Sequence, residues 1–279
     1  MAASLNIITP ATGRIETILR STRHIEAPNW MPDGDALLVN AEGRLFRVPL
    51  ASPDLHPVAT NGWEQLNNDH APSPDGRWLG FCDKTETGKS CIYLRAATGG
   101  PTRRLTAQVP SWLHGWTPDS RHLLYTCVRE GRFGIARCTL ETGAETLLIG
   151  GEGHYDGPDS TPDGRWIWFN SDRSGAMALW RMRRDGTAAE QMTDGQRVDW
   201  FAHPSPDGKQ VCYLSYPAGT QGHPAGRDVQ LRIMSAAGGA PRILAEIHGG
   251  QGSLNVPSWS PNGTRFAFVS YDKAENTPV

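Results

Sequence analysis

Long hydrophobic runs are missing from this 279-residue chain: nowhere do about 18 consecutive apolar residues occur that would cross a bilayer as a helix. A dominant charge is missing as well. The 27 Lys and Arg stand against 29 Asp and Glu, and the net −2 is spread without a long basic or acidic block. Neither a nucleic-acid backbone nor a membrane surface is therefore an expected partner. The opening stretch MAASLNIITPATGRIETILR has no continuous apolar segment of the signal-peptide kind, so the expected location is cytoplasmic, or periplasmic if a leader has been removed. Cysteine is sparse and odd in number. Cys82, Cys91, Cys127, Cys138 and Cys212 all fall in apolar, strand-like segments without a CxxC, which predicts buried thiols and no disulfide framework. Cys82 with Cys91, and Cys127 with Cys138, are the pairs a hairpin would bring face to face. Also missing are a GxSxG nucleophile elbow, a P-loop and a Rossmann fingerprint, and no serine stands out as a nucleophile.

What the chain has is a repeat. A turn proline recurs at Pro32 (MPDG), Pro74 (SPDG), Pro118 (TPDS), Pro162 (TPDG), Pro206 (SPDG) and Pro261 (SPNG), at intervals of 42, 44, 44, 44 and 55 residues. Proline presets φ, Asp or Asn bonds locally, and Gly takes the left-handed position of a tight hairpin, so turn chemistry accounts for the motif without catalysis. Each turn precedes a short apolar strand such as RWLGFCD or RWIWFNS, then a second such as CIYLRA, then a third such as PRILA. With the stretch before proline this makes four strands per unit, the period of a propeller blade. The prediction is an all-β, six-bladed propeller forming one domain over residues 1–279. The sixth unit is short, and LNIITPATGRIETIL near the N-terminus aligns with the outer hairpin IARCTLETGAETLLI of blade three. Residues 4–20 are therefore expected to pair onto the strand at 264–271 and close the ring as a two-plus-two clasp.

The six turns and their strands resemble the TolB-type six-bladed propellers with PD40 repeats, over the whole chain. DGPDSTPDGRWIWFNSDRSG, WFAHPSPDGK, GHPAGRDVQLRIM and GGQGSLNVPSWSP are similar to stretches that recur in bacterial TolB-like proteins. The resemblance implies the fold; this scaffold carries binding modules, lyases, hydrolases and peptidase-associated domains alike.

The inner strand of a propeller blade follows the central channel, so residues just before each turn proline reach the opposite face. Aligned on that proline, His70 and His114 share one column, Asp159 and His203 the next, and Glu26, Asn68, Asp156 and Asn255 a third. His24, His154 and His248 lie further upstream and His223 in a long loop, so seven of nine histidines are expected at one face. His70, His114, His203 and Asp156 are the expected catalytic groups. The three histidines, with Asp159 or Asp156, are the expected ligands of one divalent ion, Mn, Ca or Zn. Neighbouring columns point to opposite sides of a strand, so their convergence requires a bulge.

Substrate contacts are expected from Asn68, Asp69, Asp159, Asn255 and Gln251. The similarity to propellers of the oligogalacturonate lyases implies that Arg173 or Arg227 would clamp a carboxylate. Trp63, Trp112 and Trp200 precede inner strands, where exposed indoles would stack on sugar rings. The other seven tryptophans, including Trp30, Trp116 and Trp259 two residues before proline, are expected to pack between blades. Blade five is lengthened mainly by SYPAGTQGHPAGRD, which predicts a wall or lid at the channel mouth carrying His223. Two function classes fit. One is a carbohydrate-active lyase or hydrolase acting on a sugar- or uronate-like ligand; similar propellers include the oligogalacturonate lyases, which implies parts for Gln251 and His248, although that family's His-x-His pair is not present. The other is a non-catalytic TolB-like module for a small ligand or a protein partner.

Overall fold

A computed structural model describes residues 2–273. Among them every regular element is a strand, and the strands form six antiparallel sheets. Blades one to five have four strands each, ordered from the axis outward as in the sequence. Blade one begins at Ile25–Trp30, blade two at Leu66–Pro72, blade three at Ser111–Trp116, blade four at Tyr155–Ser160 and blade five at Val198–Pro204. Blade six is composite. Phe266–Tyr271 pairs with Ala3–Thr9, which pairs with Arg14–Ser21. Its inner position is taken by residues 253–260, tied to Phe266–Tyr271 by the Trp259–Phe266 bridge and the Ala267 N to Ser258 O bond of 2.9 Å. The clasp thus joins the two ends of the chain in one blade.

Because blades pack face against face, a middle strand is apolar on both sides. Ala36–Ala41 is buried throughout, whereas the outermost strand Arg14–Ser21 is largely exposed. The core is accordingly divided into six, one cluster at each blade-to-blade interface; Leu5, Ile25, Val39 and Val269, for example, join blades six and one. All five cysteines are free and buried. The anticipated cross-hairpin meetings do not occur: Cys82 faces Ile92, Cys91 faces Asp83 and Cys127 faces Gly134.

Five of the six turns repeat one hydrogen-bond pattern, Met31 supplying no hydroxyl in the first. Ser73 Oγ donates to Asp75 Oδ1 at 2.6 Å, and Trp78 N and Arg77 N donate back to Ser73 Oγ and Asp75 Oδ1. The third turn has Ser120 where the others have glycine, at φ 57°. Its hydroxyl accepts from Asp75 N of the neighbouring blade at 3.1 Å, a bond glycine lacks.

Candidate functional site

Bulges build the site. In each of blades one to five the inner strand slips register before its proline, between Glu26 and Asn29, Leu66 and His70, Leu113 and Gly115, Asp156 and Asp159, and Trp200 and His203. An extra residue re-aims the side chains flanking it. In three blades a residue inside the slip is left-handed: Ala27 at 52°, Gly157 at 61° and Phe201 at 57°. A bulky residue rarely adopts this conformation. Here Phe201 is held by its N–H donating to Asn170 Oδ1 at 3.0 Å, and Ala27 by its N–H donating to Gly252 O at 2.7 Å.

The re-aimed side chains meet at Asp156. One carboxylate oxygen accepts from His114 Nε2 at 2.9 Å, Thr126 Oγ1 at 2.8 Å and Gly157 N at 2.8 Å. The other lies 3.3 Å from His154 Nε2 and 3.9 Å from His223 Nε2. Blades three, four and five therefore converge on a single carboxylate. His114 Nδ1 is 3.2 Å from Asn255 O, so both ring nitrogens face acceptors and both carry protons. Burial alone would depress the His114 pKa, but Asp156, the charge of Asp69 and the Asn255 carbonyl push it up to about 9. Burial likewise opposes ionisation of Asp156, and the histidines overcome it, holding this carboxyl well below the usual range. Nearby, burial pushes Asp69 up to about 6 against the pull of His114. Asn67 Nδ2 donates to Asp69 Oδ2 at 2.5 Å. Asn68 Nδ2 is 3.4 Å from Glu26 Oε1, and Asn255 Nδ2 donates to Gln251 Oε1 at 3.1 Å. Burial lowers the pKa of His223.

A cavity of about 340 Å³ opens beside this network, between residues 172–177 of blade four and the blade-five insertion, and His154, Trp200 and His223 line it. The insertion is pinned at Pro224 O, which accepts from Tyr216 Oη at 3.3 Å and Gln251 N at 3.4 Å. Trp200 is buried and meets His223 edge-on at 4.4 Å between centroids, so its role is to brace the imidazoles.

Several expected residues lie elsewhere. His70 is fully buried with neither ring nitrogen hydrogen-bonded, and burial lowers its pKa to about 4. His203 Nδ1 bonds Asp159 Oδ2 at 2.9 Å, and Asp159 lines the other mouth of the channel. The bulges thus direct Asp156 and Asp159, three residues apart, to different neighbours. The trio His70, His114 and His203 does not fit a metal ion, since each ring is held in a different setting; among the described residues no three His, Cys, Asp or Glu side chains gather with ligand spacing. Arg173 lies over the Trp180 ring at 5.1 Å, Arg227 is exposed at the start of a blade-five strand, and His248 bonds Asp228 at 2.9 Å. Trp112 stacks on Phe133, and Trp63 packs tilted against Tyr93, so each indole has an aromatic neighbour on one side.

Sequence reasoning missed the opposite mouth. The six turn prolines and Trp30, Trp116 and Trp259 line a funnel of about 360 Å³ there. These tryptophans do bury against blades, with Trp116 Nε1 and Trp259 Nε1 donating to Ala71 O and His203 O of the preceding blade, yet their rims face the axis. The signal lay in the shared column two residues before proline.

Residues 115–275 match the family described as TolB beta propeller domain. The chain belongs to that family. A solved structure of a TolB candidate from Agrobacterium tumefaciens is 44% identical, covers 98% of this chain and 99% of its own, and superposes with a TM-score of 0.96. The Tol-Pal system protein TolB of Francisella tularensis is 23% identical over 88% of this chain; the chain spans 56% of its length. An oligogalacturonate lyase in complex with manganese, 16% identical over 86% of this chain and 70% of its own with a TM-score of 0.58, shares the fold alone.

Proposed function

We propose that this TolB-family propeller is a binding module whose ligand enters the cavity bounded by residues 172–177 and the blade-five insertion and is read by His154 and His223. The observation that carries this reading is how the polar groups are engaged: His114, Thr126 and Gly157 are bonded to Asp156, and Asn255 to Gln251, so the network is turned inward and only its two outer imidazoles border the cavity. Such a closed network fixes the orientation of recognition groups rather than leaving a nucleophile free. The fit is to a small polar ligand, with sugar-like molecules among the first to try, or to polar side chains of a docked protein, as the kinship to a Tol-Pal system protein suggests.

A second reading, an enzyme acting on a sugar or uronate, draws on one feature. An acid held up to about 9 (His114) and a carboxyl pushed up to about 6 (Asp69) sit within electrostatic reach of each other, as in proton-transfer sites. Isothermal titration of the intact protein with a panel of neutral and acidic oligosaccharides, run beside an absorbance assay for unsaturated products, separates the two. Saturable binding without product, lost in His223→Ala, supports the module; turnover of any panel member overturns it in favour of the enzyme. No binding in the panel leaves the protein-partner form, which fails in turn if hydrogen exchange at 217–226 is unchanged by a purified Pal-type partner.

A further inference from the structure

A second polar cavity, of about 490 Å³, lies between blades four and five, away from the Asp156 network. Its wall includes Thr193, Arg197, Asp199, Tyr213, Arg232 and Gly239. Tyr213 and Arg232 are direct cross-strand partners in blade five, so their side chains rise from the same face of that sheet. Tyr213 is fully buried, yet its hydroxyl has no hydrogen-bond partner, and neither does the buried Nε of Arg232. Leaving two buried donors unpaired is costly, and an acceptor seated between them would satisfy both.

The acids in the wall do not meet that need. Asp199 accepts from Ser215 Oγ at 2.6 Å, and burial raises its pKa toward the neutral form. Asp194 is engaged by Gln196 N at 3.0 Å. Arg197 is anchored through Nε to Ser215 Oγ at 2.9 Å and through Nη2 to Ser215 O at 3.2 Å, which sets a second guanidinium at the same cavity. The surplus in this cavity is therefore of unpaired donors, its two arginines standing beside two aspartates that are already engaged.

We propose that the cavity binds a small oxyanion, a carboxylate or a phosphate, through Arg232, Arg197 and the Tyr213 hydroxyl. A guanidinium presents paired N–H groups that match two oxygens of such an ion, and the phenol supplies a third donor from within the blade interface. This site is independent of the one read by His154 and His223.

The test uses the intact protein in a non-coordinating buffer. Thermal unfolding and calorimetric titration are run with inorganic phosphate and with succinate, each against sodium chloride at equal ionic strength. The expected result is a saturable rise of the midpoint with one of the two anions, which also tells phosphate from carboxylate. Tyr213→Phe removes a hydroxyl that has no partner in the free protein, so its unliganded midpoint should match or exceed that of the parent, while its Kd for the anion weakens about tenfold or more. Arg232→Gln should abolish the shift. A general salting effect of phosphate would survive in both variants. An anion shift retained in Tyr213→Phe and Arg232→Gln, or no shift beyond chloride in the parent, overturns the proposal; should Arg232→Gln fail to fold, the Tyr213→Phe comparison decides alone.

Discussion

His114 Nε2 lies 2.9 Å from Asp156 Oδ1, a buried ion pair that ties the inner strand of blade three to that of blade four. Thr126 and Gly157 complete the coordination of that oxygen, and the Asn255 carbonyl takes the other imidazole nitrogen. Removing one member of such a pair strands a charge in a poorly solvated place. His114→Ala is therefore expected to lower unfolding free energy by about 3 kcal/mol, and the double variant with Asp156→Ala should cost less than the two single changes added. The pH window follows from the signs. His114 is raised from 6.5 to about 9, so its contribution is complete below about pH 6.5 and is lost as pH rises through 9. Asp156 is depressed, so its contribution is present above about pH 4 and is lost on further acidification. Chemical denaturation from pH 3 to 10 checks this, and a His114→Ala profile parallel to the parent's would contradict it.

The clasp makes the second prediction. Ala3–Thr9 supplies the only strand between Phe266–Tyr271 and Arg14–Ser21, and Leu5, Ile7 and Ile8 belong to the cores on either side of blade six. Deleting residues 1–21 would expose an unpaired edge and two half-cores at once. Loss of a cooperative thermal transition is expected; a truncated protein that melts like the intact one would show that the ring closes without it.

Why the fold was legible and the site only partly so follows from these residues. The proline, Asp and Gly of the turns are demanded by local backbone geometry, and local geometry is written in adjacent residues; Asp75, Ser73 and Gly76 interact within one turn. The clasp was legible because Gly13 aligns with Gly143, and both are left-handed in hairpin turns. The column alignment puts Asp156, His114 and Asn255 at one face, and bonds at Asp156 and at the Asn255 carbonyl tie them to His114. Their partition from Asp159 and His203 was not legible, because it depends on where each bulge falls, and Phe201 at positive φ carries no signal in its own identity. His70 shows the limit of a column: it shares His114's place before the turn, yet it is sealed in the protein interior. His154 lies upstream of the aligned columns, and its approach to Asp156 depends on the loop path and not on the repeat.

That sealed imidazole gives the third prediction. With its pKa lowered by burial to about 4, His70 stays neutral in the folded protein while the unfolded chain takes a proton below about pH 6.5. Stability should therefore fall as pH drops from 6.5 toward 4. His70→Leu removes both the titration and two unpartnered nitrogens. It is expected to be within about 1 kcal/mol of the parent at pH 7 and more stable than the parent at pH 5. A variant that loses stability equally at both values would instead mean that the ring makes bonds worth keeping.

The turn exception tests two small effects against each other. Ser120→Gly relieves a left-handed residue, a gain of about 1 kcal/mol, and deletes the bond from Asp75 N, a loss of about 1 kcal/mol. The two nearly cancel, so a change within about 0.5 kcal/mol is expected. Gly76→Ser adds the strain of a left-handed residue at φ 71°, with its Cβ in ordinary contact with Pro32 of the neighbouring blade, and should cost about 1 kcal/mol. A stabilisation by Ser120→Gly as large as the loss in Gly76→Ser would show that the hydroxyl contributes nothing.

Asp69 carries the last prediction, because it sets stability against function at one residue. Burial raises its pKa from 3.8 to about 6, which means the folded state holds a proton that the unfolded chain has already released. As pH rises from about 4 to 6 the unfolded state binds fewer protons, and stability falls; above 6 the carboxylate persists at a cost of up to about 3 kcal/mol. Its attraction to His114 is already included in that shift, so Asp69→Asn loses some of this partner's support as it removes the desolvation cost. The amide oxygen can still accept from Asn67 Nδ2. A net gain of about 1 to 2 kcal/mol at pH 7 is expected, with the decline between pH 4 and 6 flattened. The variant should also titrate His114 lower than about 9, which histidine NMR reads directly. If the same variant binds the ligand of the 172–177 cavity as well as the parent does, the carboxylate serves no recognition; if it is more stable and binds less well, a destabilising charge is being kept for function. Asp69→Asn melting below the parent at pH 7 would refute the assignment of Asp69 as a buried carboxylate kept ionised at a cost.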